Sequence, residues 1–232
     1  MPMLVARKTE GFERVGNLAG FPANPRKYEL TPGIAFQRGD LVALDGGRVV
    51  KATPSSARIL GVMAETIAAE DNPSGKTTFG AVYDHPLDIF RASIAGHVDS
   101  TATGGTLTTL VDSALPAAVA DAYVGGVLYI YEGPGAGAVR TVVDYDEVSK
   151  TLTVNEPFPA APTAATKYVL IGAGDAAKDG INAGTVGAAV DANARSIDAA
   201  TSPGTGPLTV LAVDPKGLTC DVIIAKHQYA AL

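Results

Sequence analysis

The 232 residues carry 18 Lys and Arg against 24 Asp and Glu, a net charge of −6 that disfavours nucleic acid as the principal partner. Apolar residues make up 47% of the chain but aromatics only 6%, with no Trp, so the core must be built largely from Val, Leu, Ile and Ala, while 26 glycines and 15 prolines imply many turns. A single cysteine, Cys220, excludes an intrachain disulfide and every multi-cysteine metal site. The longest apolar stretches, Gly126 to Tyr131 and Tyr168 to Ile171, are strand-length, far below the roughly 18 residues of a membrane-spanning helix. No membrane segment is expected. Met1 to Glu10 holds Arg7 and Lys8 with no apolar run behind them, so no secretory signal is expected either.

Residues 1–30 lack sustained periodicity and hold Arg7, Lys8, Arg14, Arg26 and Lys27 against Glu10, Glu13 and Glu29, a net charge of +2 that leaves −8 on the remainder. Such asymmetry marks an extended arm that contacts something acidic, or a disordered terminus.

From Gly33 the pattern becomes short apolar runs separated by turn chemistry, which predicts an all-β protein. Leu41–Leu44 and Arg48–Ala52 form a hairpin about Asp45-Gly46-Gly47, because glycine tolerates the positive φ that tight hairpin turns demand. Strands follow at Ile59–Ala64, Thr77–Tyr83 and Leu87–Ala95, the last two joined through Asp84, His85 and Pro86. Residues 100–172 read as a self-contained unit with strands at Gly126–Tyr131, Ala138–Asp144, Thr151–Asn155 and Lys167–Ile171. After a small-residue stretch, Pro207–Val213 and Leu218–Ala225 flank Asp214-Pro215-Lys216-Gly217, with Gly217 expected at the turn exit. Period-two alternation puts Leu218, Cys220, Val222 and Ile224 on one face and makes Cys220 a core residue.

Chemical motifs are scarce. Gly133, Gly135 and Ala138 imitate a dinucleotide fingerprint but run into a β-branched strand with no helix to face a pyrophosphate; Gly172, Gly174 and Ala177 imitate it better, yet the segment that follows is broken by Gly180, Gly184 and Gly187. His97 and Asp99 would share one side of an extended segment with no visible third ligand, and His85 precedes Pro86 as a turn residue. The acids Glu70-Asp71 and Asp144, Asp146 and Glu147 match no EF-hand spacing and read as solvated turns. Asp221 beside Cys220 would raise its pKa, which argues against a nucleophile. No cofactor, metal or catalytic residue is expected.

Gly39-Asp40-Leu41-Val42 through Gly46-Gly47-Arg48-Val49-Val50-Lys51-Ala52, then Ile59-Leu60-Gly61-Val62-Met63, and the closing Val210–Pro215 and Val222–Ile224 resemble tailed-phage head-decoration, or capsid-cement, proteins. The central unit is similar to a β module recurring in tailed-phage virion proteins, through Thr108–Asp112, Tyr129–Tyr131, Gly135–Arg140 and Pro157 leading towards Tyr168. The resemblance implies a small β-barrel or β-tulip-like decoration domain, residues 31–99 and 173–232, interrupted by an inserted antiparallel β domain, residues 100–172. It implies a structural protein without catalytic activity that sits on the capsid exterior, made in the host cytoplasm. It would bind the major capsid protein as a homotrimer and cement neighbouring subunits.

Arg7, Lys8, Arg14, Arg26 and Lys27 are then the candidate capsid-binding residues of an arm spanning 1–30. Excising 100–172 and bridging the cut should leave a folded host, since inserted domains have neighbouring ends. A phage tail, spike or glycan-binding module is the alternative. Its aromatic platform would have to come from Tyr123, Tyr129, Tyr131 and Tyr145.

Overall fold

The structure, a computed structural model, describes residues 11–54, 56–115, 120–172, 186–188, 195–198 and 206–228. Its regular structure is all-β, and no helix occurs among the described residues. A five-stranded sheet contains β2 (Arg26–Glu29), β3 (Leu41–Asp45), β4 (Arg48–Lys51), β5 (Gly61–Met63) and β6 (Phe79–Tyr83), in the order β2-β6-β5-β3-β4. A six-stranded sheet runs β1-β7-β18-β17-β15 from β1 (Glu13–Asn17), β7 (Asp88–Ala95), β15 (Val186–Ala188), β17 (Leu208–Asp214) and β18 (Thr219–Ile224). Its sixth strand, β16 (Ser196–Asp198), lies parallel to the second half of β7, while β1 pairs antiparallel with the first half.

The hairpin predicted about Asp45-Gly46-Gly47 forms as β3–β4, with φ of +56° and +84° at the two glycines. Those are the angles a two-residue turn of right-handed strand twist requires. At the other predicted hairpin, β17–β18, the positive φ falls not on Gly217 but on Leu218, at +49°. A side chain at Gly217 would meet the Asp214 carboxylate at 2.9 Å, and Leu218 is buried at the edge of the core, which fixes its backbone.

The barrel expected for the first domain is not closed. The five-stranded sheet curls until Leu30, just past β2, makes a single parallel bridge to Val49 of β4, and Thr31 donates to the Val49 carbonyl at 3.0 Å. No ladder extends that bridge, so the sheet stays open between β2 and β4.

Residues 98–171 supply a seven-stranded sheet, β8-β14-β11-β12-β13-β10-β9. Its strands are β8 (Val98–Thr101), β9 (Gly104–Gly105), β10 (Thr109–Val111), β11 (Val127–Glu132), β12 (Val139–Asp146), β13 (Thr151–Val154) and β14 (Lys167–Ile171). Its two edge strands are successive parts of one segment: Ala102 donates to Thr166 beside β14, and Thr103 donates to Val111 in β10. β12 turns the opposite corner, pairing β11 through residues 139–141 and β13 from Val142 to Asp146 across a bulge at Val143. Bulges bend strands in this way. The sheet thereby wraps a core holding Leu110, Leu128, Ile130, Leu152, Tyr168 and Leu170.

Strands with both faces buried tie the sheets together. On β14, Tyr168 and Leu170 enter the core of their own sheet, whereas Val169 and Ile171 enter the core under the six-stranded sheet, beside Phe90, Ala92, Val210 and Val222. Leu41 and Val62 join that same central core from the five-stranded sheet, while their neighbours Val42 and Met63 point into its private core with Leu30 and Phe36. Successive strand residues face opposite ways, so one apolar strand serves two cores.

The extended arm expected over residues 1–30 does not extend through 11–30. Arg14 pairs with Phe90 as β1 and Tyr28 with Gly80 as β2, because β7 and β6 each leave an edge that these segments satisfy.

Candidate functional site

The β6–β7 turn and the segment between β1 and β2 meet over a cavity of about 280 Å³, lined by Phe21, Asn24, Arg26, Asp84, His85 and Asp88 among others. Register places these groups: Asn17 lies opposite Asp88 at the end of the β1–β7 ladder, Leu18 donates to the Leu87 carbonyl at 2.9 Å, and Arg26 lies opposite Val82, two residues before Asp84. Asp84 and Asp88 are 5% and 3% exposed. Burying two carboxylates is costly unless partners replace the lost water.

Those partners are specific. Asp88 Oδ1 accepts from Asn17 Nδ2 at 2.8 Å and pairs with Arg14 Nη2 at 2.9 Å. Asp84 Oδ2 accepts the Tyr28 hydroxyl at 2.5 Å, with Arg26 Nη1 at 3.6 Å. The Leu87 N–H donates to His85 Nδ1 at 3.2 Å, so Nδ1 is the acceptor nitrogen and the proton sits on Nε2. The Phe21 ring lies 5.4 Å from the His85 ring and is 56% exposed.

Of the arm residues, Arg7 and Lys8 lie outside the described residues. Arg14 is not available to a partner: its guanidinium is nearly buried, bound to Asp88 and the Phe21 carbonyl, and lies over the Tyr83 ring at 5.9 Å. Arg26 is 69% exposed and reaches Asp84. Lys27, the next residue on the strand, is exposed and points to the opposite face. Tertiary structure therefore brings Arg14 and Arg26 together on an acidic pair and separates Lys27 from them. Sequence reasoning missed that pair, because only the β1–β7 and β2–β6 pairings bring residues 14 to 28 against 84 to 88.

A further buried carboxylate, Asp40, is 1% exposed and is held by Lys51 Nζ at 3.0 Å, the Gln37 N–H at 2.9 Å and the Arg195 guanidinium. It joins the β3 entry to β4 and to the segment before β16. Every described contact there is a structural tie.

The remaining sequence candidates disperse. Cys220 is buried in β18, and burial first, with Asp221 second, pushes its thiol up to about 12, which leaves it protonated at neutral pH. His97 Nδ1 lies 3.2 Å from the Ile94 carbonyl, while Asp99 accepts from the Tyr131 hydroxyl at 2.8 Å. His227 is buried, and burial lowers its pKa. Gly133 and Gly135, with positive φ, shape the β11–β12 turn, and a side chain at Gly133 would collide with the Ala165 carbonyl. Gly174 and Ala177 lie outside the described residues. Asp146 accepts from the backbone of Ser149 and Val148, which lowers its pKa and marks a turn.

The tyrosines that the alternative reading would need as a glycan platform do not form one. Tyr123 and Tyr145 are buried, packed edge to face at 5.0 Å, Tyr131 binds Asp99, and Lys216 lies 5.9 Å over the Tyr129 ring. Among the described residues no three His, Cys, Asp or Glu side chains are arranged to hold a metal ion. Compared with protein-family models, curated proteins and solved structures, the chain matches none of them.

Proposed function

We propose that this chain is a structural virion protein that binds the exterior of a phage capsid and stabilises it by cementing neighbouring capsid subunits, acting as a homotrimer. The observation that carries this reading is a patch of apolar side chains held outward on a rigid support. Leu18, Phe21 and Leu87 are 54%, 56% and 38% exposed, and the Leu18–Leu87 backbone bond and the Arg14–Phe21 carbonyl bond pin them together.

Covering such side chains with a partner removes apolar area from water, worth roughly 1 kcal/mol for each half-exposed residue. A lattice repeats that gain at every symmetric site, so modest contacts add up through avidity. The hairpin and closing strands that carry the resemblance to cement proteins lie in β3–β5 and β17–β18, in the two sheets that the patch borders. In this proposal the β1–β2 segment, which carries Leu18 and Phe21, supplies contacts to the shell.

Pelleting of the purified chain with empty heads of the phage encoding it tests the proposal. The wild type should sediment with the heads, and a Leu18→Ser, Phe21→Ser double variant should stay in the supernatant while keeping its circular dichroism. Absence of wild-type binding, or equal binding by the double variant, would overturn it.

A further inference from the structure

We infer that the cavity beneath Phe21 is a seat for a guanidinium group, an arginine side chain presented by the protein to which this chain docks. The inference rests on the docking role proposed above and adds the chemistry its partner must offer. Asp84 and Asp88 both line the cavity and are both more than nine-tenths buried. The contacts of Asp84 fall on Oδ2 and those of Asp88 on Oδ1. Asp84 Oδ1 and Asp88 Oδ2 therefore carry no hydrogen bond among the described residues. Two buried carboxylates in one wall, each with an oxygen to spare, favour a ligand that donates several N–H groups and bears positive charge.

The cation already present satisfies this wall poorly. Arg26 stands 3.6 Å from Asp84, beyond hydrogen-bond reach, with its side chain 69% exposed. Such a pair is a weak surface contact that an incoming cation can replace. Phe21 supplies what Arg26 does not use, an exposed ring at the rim on which a planar guanidinium can stack.

The fold holds one guanidinium in just this manner beside the cavity: Arg14 is bound to Asp88 and lies over the Tyr83 ring. A metal ion fits less well, since no three ligating side chains come together among the described residues. The overall charge of −6 also attracts a basic group.

Titration of the 15N-labelled protein with N-acetyl-L-arginine amide, followed by amide chemical shifts, tests this without any capsid. N-acetyl-L-lysine amide and methyl α-D-glucoside serve as comparison ligands. Shifts confined to residues 17–28 and 82–90 are expected for the arginine compound, with weaker effects for lysine and none for the sugar. Phe21→Ala should weaken arginine binding about fivefold, the loss of one ring–cation contact. Arg26→Ala should tighten it about threefold by removing the resident competitor.

No shifts with the arginine compound, shifts larger with the sugar or lysine compound, or an unchanged affinity in both variants would overturn the inference. Both substituted side chains are more than half exposed, and the same spectra report whether each variant is folded. Arginine binding without binding to heads would overturn the capsid role alone. Binding to heads without arginine binding would overturn the pocket alone.

Discussion

The Tyr168 hydroxyl donates to Asp112 Oδ2 at 2.8 Å, with both side chains buried, and so ties β14 to the segment that follows β10. The same oxygen accepts from Ser100 Oγ at 2.6 Å, and Asp112 Oδ1 accepts the Ala114 N–H at 2.8 Å. One carboxylate therefore joins three parts of the seven-stranded sheet. Asp112→Ala would strand those donors without acceptors, at a cost of about 3 kcal/mol, while Tyr168→Phe, which leaves two of the three bonds, should cost about 1 kcal/mol. Urea unfolding midpoints measure both, and equal losses would refute the ranking.

Two glycines should respond oppositely to added side chains. A Cβ at Gly61 would lie 2.0 Å from the Tyr83 carbonyl oxygen, where β5 meets β6, so Gly61→Ala must push backbone from backbone and should cost about 2 kcal/mol or more. Gly46, at φ +56°, has nothing within 4 Å of such a position. Asparagine adopts that φ readily, so Gly46→Asn should leave the melting temperature within a degree or two.

His227 links stability to pH. It lies in the segment that bridges Ile59, and burial, the largest cause, lowers its pKa from 6.5 against the opposing pull of Asp84. A group whose folded pKa is depressed contributes fully above its unfolded value and loses that contribution as pH falls. The wild-type melting temperature should therefore drop between about pH 7 and pH 5, and His227→Asn should drop less over that window. Parallel profiles for the two proteins would remove His227 from the account.

Excision of residues 100–172 should not leave an intact host, contrary to what the sequence suggests. Val169 and Ile171 are wholly buried in the central core, with Val127 and Tyr131 packed against it. Cutting them away exposes that core, at roughly 2 kcal/mol or more for each large side chain. An excised chain bridged by a Gly/Ser linker should bind a hydrophobic dye and melt well below the full chain; melting at the same temperature would show that the sheets are independent.

The sequence by itself determined the all-β class and most of the strands between residues 41 and 171, because alternation and turn residues act over two to eight positions. Asp45-Gly46-Gly47 specifies its hairpin locally, and Cys220 is a core residue by strand parity alone. Val42 against Leu41, or Tyr168 against Val169, could not be assigned to separate cores. Both faces of those strands are apolar, and only the stacking of three sheets tells one from the other.

The surroundings of Arg14 and Arg26 were not legible for the same reason. Arg14 and Arg26 are candidate capsid-binding residues by sequence, but their counterions, Asp88 and Asp84, stand 74 and 58 residues away along the chain. Charge pairing at that separation is decided by which strand edges meet, and local sequence does not encode it.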